Sequence, residues 1–153
     1  MVLVLIGTQK QSFERLLRTV EHSKELENEH IVVQCGYTEY KSKKMEQFQF
    51  MSHDRIMEYI DEADFIICHG GVGTIFDCLH KGKKVLAMPR LEKYKEHVDD
   101  HQIEICRELQ KEGYIEYCLD NEDFDSKIRL LKEKEYKKYV SNDNYLHILK
   151  EEI

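Results

Sequence analysis

His69, Thr74 and Asp77 follow one another in the stretch CHGGVGTIFDCLHKG, residues 68–82, directly after the apolar run Phe65-Ile66-Ile67. Three of the chain's seven glycines, Gly70, Gly71 and Gly73, fall between the imidazole and the hydroxyl. A strand that runs through glycines into a helix start presents free N–H groups and the positive end of the helix dipole, which together hold a diphosphate. Thr74 adds a hydroxyl donor at that start. Asp77, about one turn further, can accept from ribose hydroxyls. A nucleoside diphosphate fits each part. The same glycines also suit tight strand–helix packing with no ligand, and His69 also suits a hydrogen-bonded core position. At this point both readings stand.

Several better-known motifs fail at these residues. A dinucleotide fingerprint begun at Gly71-Val72-Gly73 has Phe76 where its third glycine belongs, and it follows the fourth strand rather than the first. A phosphate-binding loop ending at Gly82-Lys83 has Asp77 at its first glycine position. No arginine follows Cys68 closely enough for a phosphatase-type cysteine loop. His97 and His101 share a helix spacing, but Glu96 precedes His97 instead of following it, so the zinc-protease pattern is absent and no metal is expected. Cys35, Cys68, Cys78, Cys106 and Cys118 form no CxxC pair and read as reduced, buried small hydrophobes.

The elements that must position these residues alternate between strand and helix. Val2 to Ile6, Ile31 to Val33, Phe65 to Ile67 and Lys84 to Met88 are short apolar runs of the kind buried on both faces of a parallel sheet. Met45 to Phe50 is a third strand with Phe48 and Phe50 on one face, and Tyr114 to Leu119 a sixth. Helices are predicted from Phe13 to Val20, after an N-cap at Ser52, over Thr74 to His80, and over Val98 to Glu112 with Gly113 ending it. Two more, Asp123 to Leu131 and Tyr145 to Glu152, flank a Lys/Glu-rich, tyrosine-bearing stretch, so residues 123–153 form a C-terminal helical segment suited to docking a partner. The pattern predicts an α/β fold, a doubly wound and mostly parallel sheet, in a single domain over 1–153. Ligands in such a sheet sit beyond the carboxyl ends of the strands.

Bulk properties narrow the partners. The 153 residues are 41% hydrophobic and 35% charged, with a formal net charge of −7, which argues against nucleic acid. No apolar run approaches the roughly 20 residues that span a bilayer, and nothing resembles a signal peptide, so a cytoplasmic location is expected.

HGGVGTIFD, followed by Lys83 to Pro89 and then EHVDDHQ at 96–102, resembles the donor domain of glycosyltransferase family 28. The likeness runs from Val2-Leu3-Val4-Leu5-Ile6-Gly7-Thr8 through Gln34-Cys35-Gly36-Tyr37 to Gly113-Tyr114-Ile115. It is closest to small single-domain members: the catalytic subunit of the two-part transferase that adds N-acetylglucosamine to a dolichol-linked sugar, and bacterial galactosyltransferase enhancers of capsule and exopolysaccharide synthesis. The resemblance implies half of a GT-B fold and a UDP-sugar donor with no cofactor. Gly7, Thr8, His69, Gly70, Gly71, Gly73 and Thr74 would surround the diphosphate, with His69 stabilising the leaving group. The backbone near Met51 would meet the uracil. Asp77 stands where the family usually has a ribose-binding glutamate. Asp100 and Gln102, with Asp99 as a further candidate, would read the sugar hydroxyls, and Glu96 and His97 belong to the same motif. The catalytic base and the acceptor site would lie with a membrane-anchored partner subunit that presents a polyprenyl-diphosphate-linked sugar and recruits the chain to the membrane's inner face. The transferred hexose would be galactose, glucose or N-acetylglucosamine, with the nearness to exopolysaccharide proteins favouring the first two. Two rival readings are a nucleotide- or flavin-binding module of flavodoxin-like topology and a purely structural enhancer of a partner enzyme.

Overall fold

A computed structural model describes residues 1–140 of the chain. Six strands, β1 (Val2–Leu5), β2 (Ile31–Gln34), β3 (Glu46–Phe48), β4 (Phe65–His69), β5 (Val85–Met88) and β6 (Glu116–Tyr117), form one sheet in the order β3-β2-β1-β4-β5-β6. Every pairing is parallel. Right-handed crossovers are the rule for parallel neighbours, so helices must cover both faces. On one face α1 (Glu14–Glu21) and α5 (Phe124–Glu133) bury Leu16, Leu17, Val20, Ile128 and Leu131 against Val2, Val4, Val33 and Ile67. On the other, α2 (His53–Glu62), α3 (Val72–His80) and α4 (His101–Lys111) bury Ile60, Ile75, Leu79, Ile105 and Leu109 against Leu3, Val32, Ile66 and Val85. Each such side chain, removed from water, contributes about 1.5–3 kcal/mol before entropy is counted. This two-sided burial is why the strands read as unbroken apolar runs.

The strand order reverses between β1 and β4. The first crossover from β1 goes to β2 on one side, and the chain later returns to place β4 on the other. Loops leaving β1 and β4 therefore diverge and open a crevice at their carboxyl ends.

Several boundaries differ from expectation, β6 being only Glu116–Tyr117 against Tyr114 to Leu119, and three of them bear on the site. β3 ends at Phe48, and Phe50 lies beyond it, half exposed and edge-on to Tyr37 at 5.1 Å between ring centroids. The two phenylalanines therefore do not share a strand face. α3 begins at Val72 rather than Thr74, which puts Gly73 inside its first turn. α4 begins at His101, because Val98 is 72% exposed and contributes nothing to a buried stripe, and Asp99 Oδ1 takes the His101 N–H in a tight local turn. A short 3₁₀ turn, Glu92–Tyr94, precedes it. Ser52 does cap α2, accepting from the Arg55 N–H at 3.2 Å, and Gly113 ends α4 with φ +87°. The helix predicted at Tyr145 to Glu152 lies outside the described residues, as does the rest of 141–153 of the proposed docking segment.

Candidate functional site

Two neighbouring clefts open at the carboxyl ends of β1, β4 and β5. The first, about 250 Å³, is walled by Gly7 and Thr8 after β1, His69 and Gly71 after β4, and Gly73, Thr74 and Asp77 of α3, with Gln34 and His53 on the far side. The second, about 480 Å³, lies toward the start of α4 and is walled by His97, Asp99, His101 and Gln102. Gln9 and Gly71 belong to both.

Close packing around one ring builds the first cleft. His69 is 6% exposed and sits between two glycines. A Cβ on Gly7, whose φ is +84°, would come within 2.7 Å of His69 Nε2, and a Cβ on Gly71 within 2.0 Å of Cε1. Neither position can carry a side chain while the imidazole stays. The Gly71 N–H donates to His69 Nδ1 at 3.1 Å, and Gln102 Nε2 lies 3.4 Å from the same nitrogen. A nitrogen that accepts carries no proton, so the hydrogen is on Nε2, which faces Thr74 Oγ1 at 3.3 Å. The Thr74 hydroxyl hydrogen is then available to the cleft. Gly73 is different: nothing lies within 4 Å of an added Cβ, so the first turn of α3 is open to an approaching group.

Burial, helped by the charge of the nearby Arg90 guanidinium and by the neighbouring His97 ring, pulls the His69 pKa down to about 3. The ring is a neutral hydrogen-bond donor at physiological pH. The folded chain resists a proton that the unfolded chain accepts below about 6.5, so folded stability falls as pH drops through that window and is unaffected above it. Against His69→Asn, which keeps an acceptor for the Gly71 N–H, wild-type stability is expected to lose about 2 kcal/mol more between pH 7 and pH 5. Urea unfolding at the two pH values measures this, and parallel losses would refute it.

The second cleft is held by a buried amide. Gln102 Oε1 accepts from the N–H of Gly70 and of Arg90, each at 3.0 Å, tying α4 to the ends of β4 and β5. Gly70 has no room for a Cβ, which would lie 2.8 Å from Gln102 Cβ. Of the Gln102 amide, expected to read sugar hydroxyls, the oxygen is thus already doubly occupied by backbone.

Three other expected residues stand apart from the clefts. Glu96 is 3% exposed and faces α1, where Arg15 grips it at 3.0 and 2.9 Å and the Leu91 N–H donates to it. Asp100 is exposed and accepts from the Glu92 N–H. Met51 lines neither cleft, and its N–H is taken by Gln34 Oε1 at 2.8 Å.

Sequence reasoning missed Arg90. It is fully buried, and its guanidinium donates to the carbonyls of Gln11, Glu96 and Ile6 at 2.7, 3.0 and 2.6 Å. It stacks on Phe13 at 4.9 Å. Burial lowers its pKa to about 10, with Glu96 pulling the other way. The side chain pins the loop after β1 to the loop after β5, so it sets the shape of both clefts without touching them. A charged residue between Pro89 and Leu91 in an apolar stretch was the available signal. Among the described residues no group of three or more His, Cys, Asp or Glu is placed to hold a metal ion, and no helix is long and apolar enough to cross a membrane.

Residues 1–151 match the family described as the glycosyltransferase family 28 C-terminal domain. Relatives include the UDP-N-acetylglucosamine transferase subunit ALG13 of Debaryomyces hansenii, 30% identical over 134 residues that cover 74% of this chain and 62% of that protein. The protein of the same name from Candida albicans is 29% identical over 71% of this chain but 31% of its own length. This chain thus spans about a third of that relative, and only 8% of the mouse one. Among solved structures, an NMR structure of ALG13 has a TM-score of 0.64 at 19% identity, covering 97% of this chain and 93% of that one. The calicheamicin glycosyltransferase CalG4 gives 0.62 at 11%, over 97% of this chain and 36% of its own, a likeness of fold to about a third of that enzyme. With the switch-point crevice, the glycine-walled first cleft and a match over nearly every residue in agreement, the chain belongs to the glycosyltransferase family 28 C-terminal domain family.

Proposed function

We propose that the chain is the donor-binding subunit of a two-component, UDP-sugar-dependent hexosyltransferase. The observation that carries this is the first turn of α3: unobstructed at Gly73, flanked by a Thr74 hydroxyl that His69 Nε2–H frees for donation, with Asp77 one turn on. A diphosphate laid there meets N–H donors and the helix dipole, and Asp77 is in place for the ribose. As the bond from the anomeric carbon to the diphosphate breaks, charge collects on the leaving oxygens, and these fixed donors stabilise it. With them carrying that charge, the reaction as proposed needs no resident metal or other cofactor. The acceptor hydroxyl still needs a base, which we assign, with the acceptor site, to a membrane-anchored partner that presents a polyprenyl-diphosphate-linked sugar. Such a partner would hold this chain at the cytoplasmic face of a membrane.

The names of the relatives support N-acetylglucosamine as the sugar, over galactose or glucose. Calorimetric titration with UDP, and with GDP, ADP and FMN as controls, tests the reading. UDP is expected to bind selectively, and Thr74→Ala to weaken it by about tenfold, the value of one hydrogen bond to a charged group. Thr74 is the cleaner probe than Gln102, whose loss would disturb α4. FMN binding in place of UDP would overturn the assignment.

A further inference from the structure

Gln9 stands where the two clefts meet. Its Nε2 lies 3.0 Å from Nε2 of His97, while its Oε1 is buried and has no hydrogen-bond partner among the described residues. His97 is steadied from behind, with Nδ1 3.2 Å from Asp99 Oδ1. Nδ1 also faces the Asp99 backbone N–H at 3.3 Å, so the tautomer is not fixed from that side and either end of the Gln9 amide can pair with Nε2. Whichever end of the amide faces His97, the other end is unpaired. A buried amide group without a partner is costly, so this contact yields readily to a ligand that satisfies both ends.

The ligand that does so must reach the shared wall from both sides and offer groups that donate and accept. A nucleotide hexose running from the first cleft into the second brings its sugar hydroxyls there; a bare nucleotide does not. We propose that the Gln9–His97 contact partitions the trough in the ligand-free chain, and that both side chains turn onto hexose hydroxyls when a nucleotide sugar spans the two clefts. The pair then sets the preference for nucleotide sugar over nucleotide, and the inference rests on the UDP-sugar reading above.

Titration of the whole chain with UDP and with UDP-N-acetylglucosamine, for wild type, Gln9→Ala and His97→Ala, tests it. The ratio of the two affinities is expected to fall about tenfold in each variant, the loss of one hydrogen bond to the sugar. A ratio that stays at the wild-type value or rises in both variants overturns the inference and leaves the UDP-sugar reading standing. A wild-type chain that binds neither compound overturns that reading, and this inference with it.

Discussion

Gly73→Ala is expected to give a chain that is more stable and binds UDP at least tenfold more weakly, while Gly71→Ala, two residues away, loses stability and binding together. The two glycines look alike in sequence but answer to different neighbours. Gly73 lies in the first turn of α3 with nothing within 4 Å of an added Cβ. Alanine there restricts the unfolded chain and suits a helix, a gain of roughly 0.5–1 kcal/mol. The new methyl, however, stands in the opening through which a diphosphate would reach the N–H groups. At Gly71 the methyl would fall 2.0 Å from His69 Cε1 and 2.8 Å from Nδ1. That ring is buried and hydrogen-bonded at both nitrogens, so it cannot swing aside as an exposed side chain would. Overpacking of this kind costs about 1–3 kcal/mol, and a displaced ring also abandons Thr74. Urea unfolding and UDP titration on both variants separate the cases. Full UDP affinity in Gly73→Ala would place the diphosphate somewhere other than the start of α3.

Arg90→Ala is expected to be the most damaging single change, at about 3–5 kcal/mol. The guanidinium is wholly inaccessible, and its removal strands the carbonyls of Ile6, Gln11 and Glu96 away from water while opening a cavity beside Phe13. Unsatisfied buried carbonyls are costly individually and here come as a set. Arg90→Lys keeps the charge but offers one ammonium to acceptors spread around a planar fork, so it should recover only part of the loss. Equilibrium denaturation of the three proteins measures this ordering. A loss under 1 kcal/mol for Arg90→Ala would mean that the loops after β1 and β5 hold each other without it.

Much of the architecture could be read because its physical cause is local. Ile31-Val32-Val33 and Phe65-Ile66-Ile67 are apolar at consecutive positions since both sheet faces are covered, and the Ser52 cap and the Gly113 stop act through their own backbones. The side of the cradle from His69 to Asp77 was legible for the same reason, its parts adjoining in sequence, whereas Gly7 and Thr8 reach it from the end of β1. Of the second cleft, His97, Asp99 and Gln102 were named from the sequence, but the part Gln102 plays in it was not legible. Gln102 follows three polar residues at a helix start and reads as a solvent-facing reader of a ligand. Only the meeting of β4 and β5 ends brings the Gly70 and Arg90 N–H groups to its amide. Glu96 sits in a motif beside His97, yet the turn at 92–94 points it to the opposite face, toward Arg15. Spacing along the chain cannot report which way a loop rotates its side chains. Gln9 was passed over because a lone glutamine carries no pattern at all.

The placement of β1 has a kinetic consequence. Val2 pairs with Ile31 on one side and Phe65 on the other, and every ladder in the sheet is parallel, so no pairing can start from adjacent residues. Gly7 and His69 come together only when β1 and β4 have zipped, after the closure of a long loop that is slow on topological grounds. A nucleotide added to a refolding chain therefore finds nothing to grip until that late step is complete. It should lengthen the lifetime of the finished fold and leave the speed of its formation unchanged.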